Sequence, residues 1–333
     1  MPLLIGMDEA GYGPNLGPLV VSVVAWEIPG DVRQVDLWQE FDGIISPEPS
    51  ADGAHLQIAD SKVVYTPARG LAALETGVLG ACSLWRRSAG ESPAVEIPRT
   101  FRRLRELVTA QTLGDGAAEP WCAESDIEIP HATADSEDRC KGHHSPLVEK
   151  WETRCRERGI RLRSMRSDVV SPEQFNERTR RHDSKGQALT EISMRVLAQV
   201  WQEVNADGKE PALIIADKHG GRNRYHDFLP LVFGDRFIRC RAEGADSSRY
   251  QVGPAEIRFE TKSERHLPVA LASMMSKYLR ELSMVLFNRF WTTRLPGLKP
   301  TAGYPLDARR YREEIAAVQR ELGIADDILW RER

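Results

Sequence analysis

The sequence lacks long apolar runs. None of its 333 residues lies in a stretch that approaches the roughly 20 apolar residues of a membrane-spanning helix. The first apolar segment, "LLIGM", is too short for the core of a signal peptide and has no basic residues before it. These absences argue against a membrane or secreted protein and predict a cytoplasmic one.

Cysteine is scarce and scattered. Five cysteines, an odd number, are spread along the chain, which argues against a disulfide scaffold and fits a reducing compartment. Three of them, Cys122, Cys140 and Cys155, lie near His143 and His144 in the sequence. Their spacing is irregular and contains no Cys-x-x-Cys pair, so it argues against a structural zinc site.

Neither sign of charge dominates. The 45 basic and 49 acidic residues leave a net charge of −4, so any contact with nucleic acid would depend on a local basic patch or on metal ions. Apolar residues make up 41% of the chain, which suffices for a packed core. The length permits one large domain or two modest ones.

Strand and helix patterns alternate along most of the chain. The apolar segments "LLIGM" and "LVVSVVAWEI" flank a short turn and predict a β-hairpin, and "ALIIAD" predicts a buried strand. A 3.6-residue period predicts helices over 189–204 and 267–291, with a last helix after Asp307. This order predicts an α/β fold whose sheet is mostly parallel and starts with an antiparallel hairpin. The segment 86–156 is weakly periodic and predicts a loop-rich excursion or inserted subdomain.

Four carboxylates lie at predicted element ends. Asp8 and Glu9 follow the first strand, Asp217 ends "ALIIAD", and Glu264 precedes the long helix. Carboxylates that converge stay ionised only with a cation among them, and their hard oxygens suit Mg²⁺ or Mn²⁺. Because neighbours on a regular strand point to opposite faces, Asp8 and Glu9 can share a site only if the strand distorts or a backbone carbonyl replaces one side chain.

Five segments resemble the motifs of one family. "GMDEAGYGPNLGPLV" resembles the opening motif of the type 2 ribonuclease H family, which includes bacterial ribonucleases HII and HIII. "IADSKVV" and "LIIAD" resemble its Asp-Ser-Lys and third-acid motifs. "FETKSERHLPVALASMMSKYLRE" resembles the fourth-acid segment of HIII, and "TAGYPLDARRYREEI" resembles the Gly-Tyr-Pro element of HII. The segments follow one another in the family's order.

The resemblance implies a ribonuclease H-like fold with a mixed five-stranded sheet flanked by helices. The catalytic domain would span 1–295, interrupted by an insertion at 86–156, and 296–333 would form a helical extension. The implied activity is hydrolysis of the RNA strand of RNA–DNA hybrids, leaving a 3′-hydroxyl and a 5′-phosphate.

The resemblance also implies roles for individual residues. The four catalytic acids, which would bind two Mg²⁺ or Mn²⁺ ions, are Asp8, Glu9, Asp217 and Glu264. In the substrate-binding set, Gly11 and Gly13 would offer backbone groups to a 2′-hydroxyl, since a β-carbon would hold the strand away. Lys62 would bind a phosphate and Tyr304 would stack on a deoxyribose. Tyr12 lies between the two glycines.

The chain departs from the family pattern in three respects. Tyr12 stands where HII enzymes have an arginine, which puts a strict preference for RNA–DNA junctions in doubt. Asp8 follows so soon after Met1 that we expect no platform domain of the HIII kind. The gap between Asp217 and Glu264 is long and contains five arginines that could form either a phosphate-binding edge or a solvated surface: Arg222, Arg224, Arg236, Arg239 and Arg241.

Two alternatives to hybrid cleavage stay open. The same site could act on another structured nucleic acid, such as double-stranded RNA. The protein could instead bind hybrids without cleaving them, or act as an interaction subunit. Four retained acids argue against a pure binder, because clustered negative charge would face a phosphate backbone.

Overall fold

A computed structural model describes residues 1–50, 53–88, 98–110, 112–113, 119–131 and 146–332. Its strands are β1 Leu3–Ala10, β2 Leu19–Glu27, β3 Ile45–Ser46, β4 Leu56–Gln57, β5 Arg161–Val170, β6 Ala212–Asp217, β7 Ile238–Glu243, β8 Ser247–Val252 and β9 Ala255–Glu260. Its helices are α1 Leu37–Glu40, α2 Ser61–Val64, α3 Ala72–Ser88, α4 Phe101–Val108, α5 Pro120–Glu124, α6 Pro146–Arg158, α7 Pro172–His182, α8 Lys185–Asn205, α9 Pro230–Phe233, α10 Leu267–Arg294, α11 Pro305–Glu321 and α12 Asp326–Leu329.

A mixed sheet in the order β5-β2-β1-β6-β9-β8-β7 lies at the centre. Strand β1 pairs antiparallel with β2 and parallel with β6, and β9 pairs parallel with β6. The predicted α/β fold with a mixed sheet flanked by helices is confirmed, as is the first hairpin. The sheet has seven strands rather than the expected five, because the long segment after Asp217 returns as the hairpin β7–β8 beside β9. Since β5, β7 and β8 all pair antiparallel, the expectation of a mostly parallel sheet is wrong.

Helices cover both faces of the central strands. All nine residues of β2 are buried, because α10 packs on one face and α8 on the other. Along β1, Leu4 faces the α10 side, whereas Leu3, Ile5 and Met7 face the α8 side. This alternation decides on which face each acid at the end of β1 lies.

The described parts of 86–156 belong to the main core. They form α4, α5 and α6 rather than a loop-rich excursion. The Trp151 ring lies 6.0 Å from that of Trp26 and 5.8 Å from that of Phe41, and the Trp121 ring lies 4.9 Å from that of Phe287. Within 86–156, periodicity marks only "RTFRRLRELV", which contains α4, and it does not show the packing because contacts between remote segments leave no local pattern.

The segment after residue 295 also packs on α10. The Tyr311 ring of α11 lies 5.6 Å from the Phe287 ring. The division into a domain 1–295 and an extension 296–333 stays a prediction. Within the described ranges, no helix combines the length and apolar character needed to cross a bilayer.

We expect Trp151→Ala to lower the free energy of unfolding by about 3–5 kcal/mol, because it leaves a cavity among buried aromatic rings. Chemical denaturation measures this change. The matched control is Phe237→Ala, since the Phe237 side chain is 78% exposed and its loss should cost below about 0.5 kcal/mol. Equal losses in the two variants would contradict a core role for α6.

Candidate active site

Asp8 and Asp217 lie at the ends of the two central parallel strands. The pairing of β1 with β6 runs to Met7 and Ala216, so the next residue of each strand is one of the two acids. Asp8 is 8% exposed and Asp217 is partly buried. Parallel strands end at the same sheet edge, which is where α/β proteins gather functional groups.

Glu264 reaches the same edge through β9. The register of β6 with β9 sets Asp217 beside Glu260, and a single 3₁₀ turn, Ser263–Arg265, follows. The Ser263 hydroxyl donates a 3.1 Å hydrogen bond to Asp217 Oδ1. This contact holds the turn that carries Glu264 against the end of β6.

Glu9 leaves β1 on the other face from Asp8. The strand does not distort there, since Asp8 pairs with Ser22 and Glu9 with Val21 in unbroken register. Asp8 therefore continues the face of Leu4 that α10 covers, and Glu9 continues the α8 face. The Asp8 backbone carbonyl accepts a 3.1 Å hydrogen bond from the Ser276 hydroxyl of α10, which fixes the strand end.

Burial raises the pKa values of all four acids, and repulsion between acids adds to the rise at three of them. Burial raises the pKa of Asp8 to about 7, a hydrogen bond from Ser273 opposes the rise, and repulsion from Asp217 and Glu264 adds to it. Burial, followed by repulsion from Asp8 and Asp217, raises the pKa of Glu9 well above its ordinary value. Burial also raises the pKa values of Asp217 and Glu264. Charge repulsion thus links Asp8 to Asp217 and Glu264, and it links Glu9 to Asp8 and Asp217.

The chemistry of these donors fits a hard divalent cation. Buried carboxylates that repel one another are stabilised by Mg²⁺ or Mn²⁺, which prefer oxygen ligands. Among the residues that the structure describes, however, no group of three or more His, Cys, Asp or Glu side chains is arranged to hold a metal ion. Ion binding would therefore require the side chains to turn toward a common point.

Lys62 lies beside the acids, as predicted. It is in the first turn of α2, where the Asp60 side chain caps the helix by accepting a 3.0 Å hydrogen bond from the Lys62 amide. The hydroxyls of Ser61 and Ser273 are 3.0 Å apart, which ties α2 to α10. Burial lowers the pKa of Lys62, but attraction by nearby carboxylates outweighs this effect and raises the pKa overall. These carboxylates belong to Asp60, Asp8, Glu264 and Asp217.

Gly11 and Gly13 have different structural reasons to be glycine. Gly11 has φ of +91°, and a β-carbon there would clash with the Arg280 side chain. Gly13 is exposed, and a β-carbon there would lie 3.9 Å from the Tyr304 ring. Tyr304 is 56% exposed, so its ring and the Gly13 backbone line one open surface.

Tyr12 is surrounded by basic side chains. The Lys185 ammonium lies 4.6 Å from the centre of its ring. Burial and the charge of Glu9 raise the pKa of Tyr12, whereas the charge of Arg222 lowers it. Lys185 is not among the predicted site residues; its signal in the sequence is a lysine directly after Ser184, which caps the helix.

The five arginines after Asp217 do not form one edge. Arg222 lies near Tyr12, since a β-carbon on Gly186 would lie 3.7 Å from the Tyr12 hydroxyl and 4.0 Å from Arg222 Nη2. Arg236 instead donates to the carbonyls of Gly208 and Asp207, at the opposite end of β6. Arg236 is exposed, as are the three remaining arginines of this group, two of which lie on the edge strand β7: Arg224, Arg239 and Arg241. Arg236 is thus excluded from a phosphate-binding edge beside the acids, and for the other four arginines that role stays a prediction.

The serines that hold the acids were also missed by the sequence analysis. Ser273 and Ser276 lie on one face of α10 together with Arg280, spaced by three and four residues. Polar residues at helical spacing within an otherwise apolar helix are the signal that could have identified them. The structure does not test a zinc site at the cysteines and histidines considered above, because Cys140, His143 and His144 lie outside the described residues. The four described cysteines are free thiols.

Several solved structures are similar to this chain. Ribonuclease H2 from Pyrococcus horikoshii OT3 has 16% identity and a TM-score of 0.41, and the match covers 98% of this chain and 92% of that one. Bst-RNase HIII in complex with Mn²⁺ has 16% identity and a TM-score of 0.43, covering 99% and 66%. RNase H3 from Aquifex aeolicus has 15% identity and a TM-score of 0.37, covering 98% and 71%.

At these scores and identities, the similarities by themselves assign neither a family nor an activity. No protein-family model matches the chain, and no curated protein matches it in sequence. What the site can do is therefore inferred from its own residues.

We expect stability without divalent ions to fall as pH rises from about 4 to about 7. The folded state keeps the Asp8 proton up to a pKa of about 7, whereas the unfolded chain loses it near 3.8, so folding is penalised as pH passes through this window. Asp8→Asn removes the penalty and should be more stable than wild type above pH 7, by up to about 4 kcal/mol. Urea denaturation in EDTA from pH 4 to 8 measures this difference. The same change of unfolding free energy with pH in wild type and Asp8→Asn would contradict the prediction.

Proposed function

We propose that this chain is a metal-dependent endoribonuclease that hydrolyses the RNA strand of RNA–DNA hybrids. The observation that carries the proposal is that the acids of three segments distant in sequence, at Asp8–Glu9, Asp217 and Glu264, come within electrostatic reach at one sheet edge, with Lys62 beside them. A purely structural carboxylate would be placed in water or against a basic partner. Here repulsion from neighbouring acids instead contributes to raising the pKa values of Asp8, Glu9 and Glu264, an arrangement typical of catalytic sites.

The residues of the site would have different roles in the reaction. Asp8, Glu9, Asp217 and Glu264 would hold two Mg²⁺ or Mn²⁺ ions, which supply water activation and stabilisation of the leaving oxygen when bound. Ser273 and Ser263 orient Asp8 and Asp217 through their hydroxyls. The products would carry a 3′-hydroxyl and a 5′-phosphate.

The open surface beside the acids suits a nucleic acid. Lys62 supplies positive charge for a backbone phosphate. Gly11 and Gly13 present backbone groups on the strand-to-loop turn, where a 2′-hydroxyl would distinguish RNA from DNA. The exposed Tyr304 ring beside Gly13 would stack on a sugar of the opposite strand.

Cleavage of defined substrates tests the proposal. Labelled RNA–DNA hybrid, duplex DNA with one ribonucleotide, and duplex RNA are each incubated with Mg²⁺ or Mn²⁺. We expect cleavage of the hybrid, reduced about 100-fold or more in Asp8→Asn and Asp217→Asn, because each removes a metal-binding carboxylate. Asp207→Asn is the matched control, since Asp207 is exposed at the far end of β6.

The remaining outcomes identify the alternatives. Cleavage of duplex RNA alone would favour a nuclease for another structured nucleic acid. Tight binding of the hybrid with no cleavage under either metal would favour a non-catalytic binder. Equal activity in wild type and Asp217→Asn would exclude the proposed site whatever the substrate.

Divalent ions should stabilise the protein independently of activity. We expect Mn²⁺ at about 100 times its dissociation constant to add about 2.7 kcal/mol to the free energy of unfolding of wild type. The gain should be absent in Asp8→Asn and retained in Asp207→Asn. Thermal denaturation across a Mn²⁺ titration measures it. A melting temperature of wild type that does not respond to Mn²⁺ or Mg²⁺ would show that the acids bind no ion.

A further inference from the structure

The loop between β1 and β2, residues 11–18, is held from outside the sheet. The amides of Asn15 and Leu16 donate to the Gly303 carbonyl over 2.8 Å and 3.3 Å. Arg280 of α10 donates to the carbonyls of Leu16 and Ala302 over 3.3 Å and 3.2 Å. The loop and the turn before α11 are thus joined, although nearly 290 residues separate them in the sequence.

A third segment, Trp330–Glu332, runs beside the same loop, and we name it the tail segment. The Arg331 amide donates to the Asn15 carbonyl over 2.8 Å, and the Asn15 side-chain amide donates to the Arg331 carbonyl over 3.2 Å. Leu16 and Trp330 form an isolated antiparallel bridge. The tail segment therefore pairs with the loop as a short added strand would.

Helix α7 anchors the tail segment independently of the loop. The Asn176 side chain donates to the Trp330 carbonyl over 2.8 Å and accepts from the Glu332 amide over 2.8 Å. Arg180 forms an ion pair with Glu332 at 2.5 Å. The loop is consequently tied, through the tail segment, to a helix on the α8 side of the sheet.

The Arg331 side chain lies beneath the loop. It is 1% exposed, its Nη2 donates to the Pro14 carbonyl, and its guanidinium lies 5.4 Å from the Phe175 ring centre. Its Nε and Nη1 atoms are buried and have no hydrogen-bond partner among the residues that the structure describes. Burying a cation with these groups unsatisfied destabilises the folded state, so packing stability does not explain the residue. What the side chain does contact is the carbonyl of the loop.

The position of the loop sets the width of the proposed substrate surface. Gly303, which accepts from the loop amides, directly precedes Tyr304, whose ring faces Gly13. A β-carbon on Gly303 would clash with the Leu16 carbonyl, so the two segments are in close contact. A shift of the loop would change the distance from Gly11 and Gly13 to Tyr304.

We propose that Arg331 is a positioning residue for substrate binding: with the tail segment, it fixes residues 11–17 against the Gly303–Tyr304 turn. The inference rests on the proposed function only for the identity of the ligand, an RNA–DNA hybrid. The fixing of the loop is a property of the free protein and can be measured without substrate.

Amide hydrogen exchange and steady-state kinetics together test this role. In Arg331→Ala, we expect the amides of Asn15 and Leu16 to exchange about tenfold faster, because the loop opens locally. The KM for the hybrid should rise about tenfold with kcat within about threefold of wild type, since binding rather than chemistry loses its geometry. Arg331→Lys should recover part of both, because lysine can still donate to the Pro14 carbonyl.

Two further variants make the test specific. Arg178→Ala removes another buried arginine, 6% exposed, whose guanidinium donates to the Gln174 carbonyl within α7, and should leave the exchange of 11–17 unchanged. Asn176→Ala keeps Arg331 but frees the tail segment, so we expect the same changes with smaller size. This variant keeps the test available if Arg331→Ala does not fold.

Unchanged exchange in both Arg331→Ala and Asn176→Ala would overturn the proposal, as would an equal effect in Arg178→Ala. Faster exchange with unaltered KM would overturn the link to substrate. Absence of cleavage by wild type would sink the nuclease function instead, and the exchange data would still decide whether Arg331 positions the loop.

Discussion

The parallel pairing of β1 with β6 is the constraint on which the site depends. It places Asp8 and Asp217 side by side at one sheet edge, and β9, the next parallel strand, delivers the turn that carries Glu264. Carboxylates gathered there are partly desolvated and repel one another, so the fold is less stable at this edge than it would be with neutral residues. Such a concentration of unfavourable charge is expected where a cation or a reaction requires it.

Helix α10 organises the surroundings of that edge. Its residues Ser273, Ser276 and Arg280 succeed one another along a single face. The first hydrogen-bonds Asp8, the second holds the end of β1, and the third supports the loop that follows β1. One helix therefore sets the acids and the glycine-containing loop in a common frame, which explains why the apolar pattern of α10 is interrupted at these positions.

The loop between β1 and β2 contacts segments that lie about 300 residues later in the sequence. The turn at Gly303 and the tail segment contact it from two sides, and α7 anchors the tail segment behind it. The recognition surface proposed around Gly13 and Tyr304 is consequently built from segments that are distant in sequence. Its shape is a tertiary property, and a local motif such as Gly-Tyr-Gly does not specify it alone.

Local sequence patterns were sufficient to predict many of the strands and helices of this protein. Alternation and apolar runs identified β1, β2 and β6, and the 3.6-residue period identified α8 and α10, because these signals arise within a few residues of one another. The four acids could be named because each adjoins such an element, whereas Lys62 was named from the resemblance of "IADSKVV" to the family's Asp-Ser-Lys motif. Contacts between remote segments decided the remaining features. These are the face on which Glu9 lies, the basic surroundings of Tyr12, the packing of Trp121 and Trp151, and the pairing of Arg331 with the loop. Such contacts depend on the register and packing of the whole chain, which no short window of sequence contains.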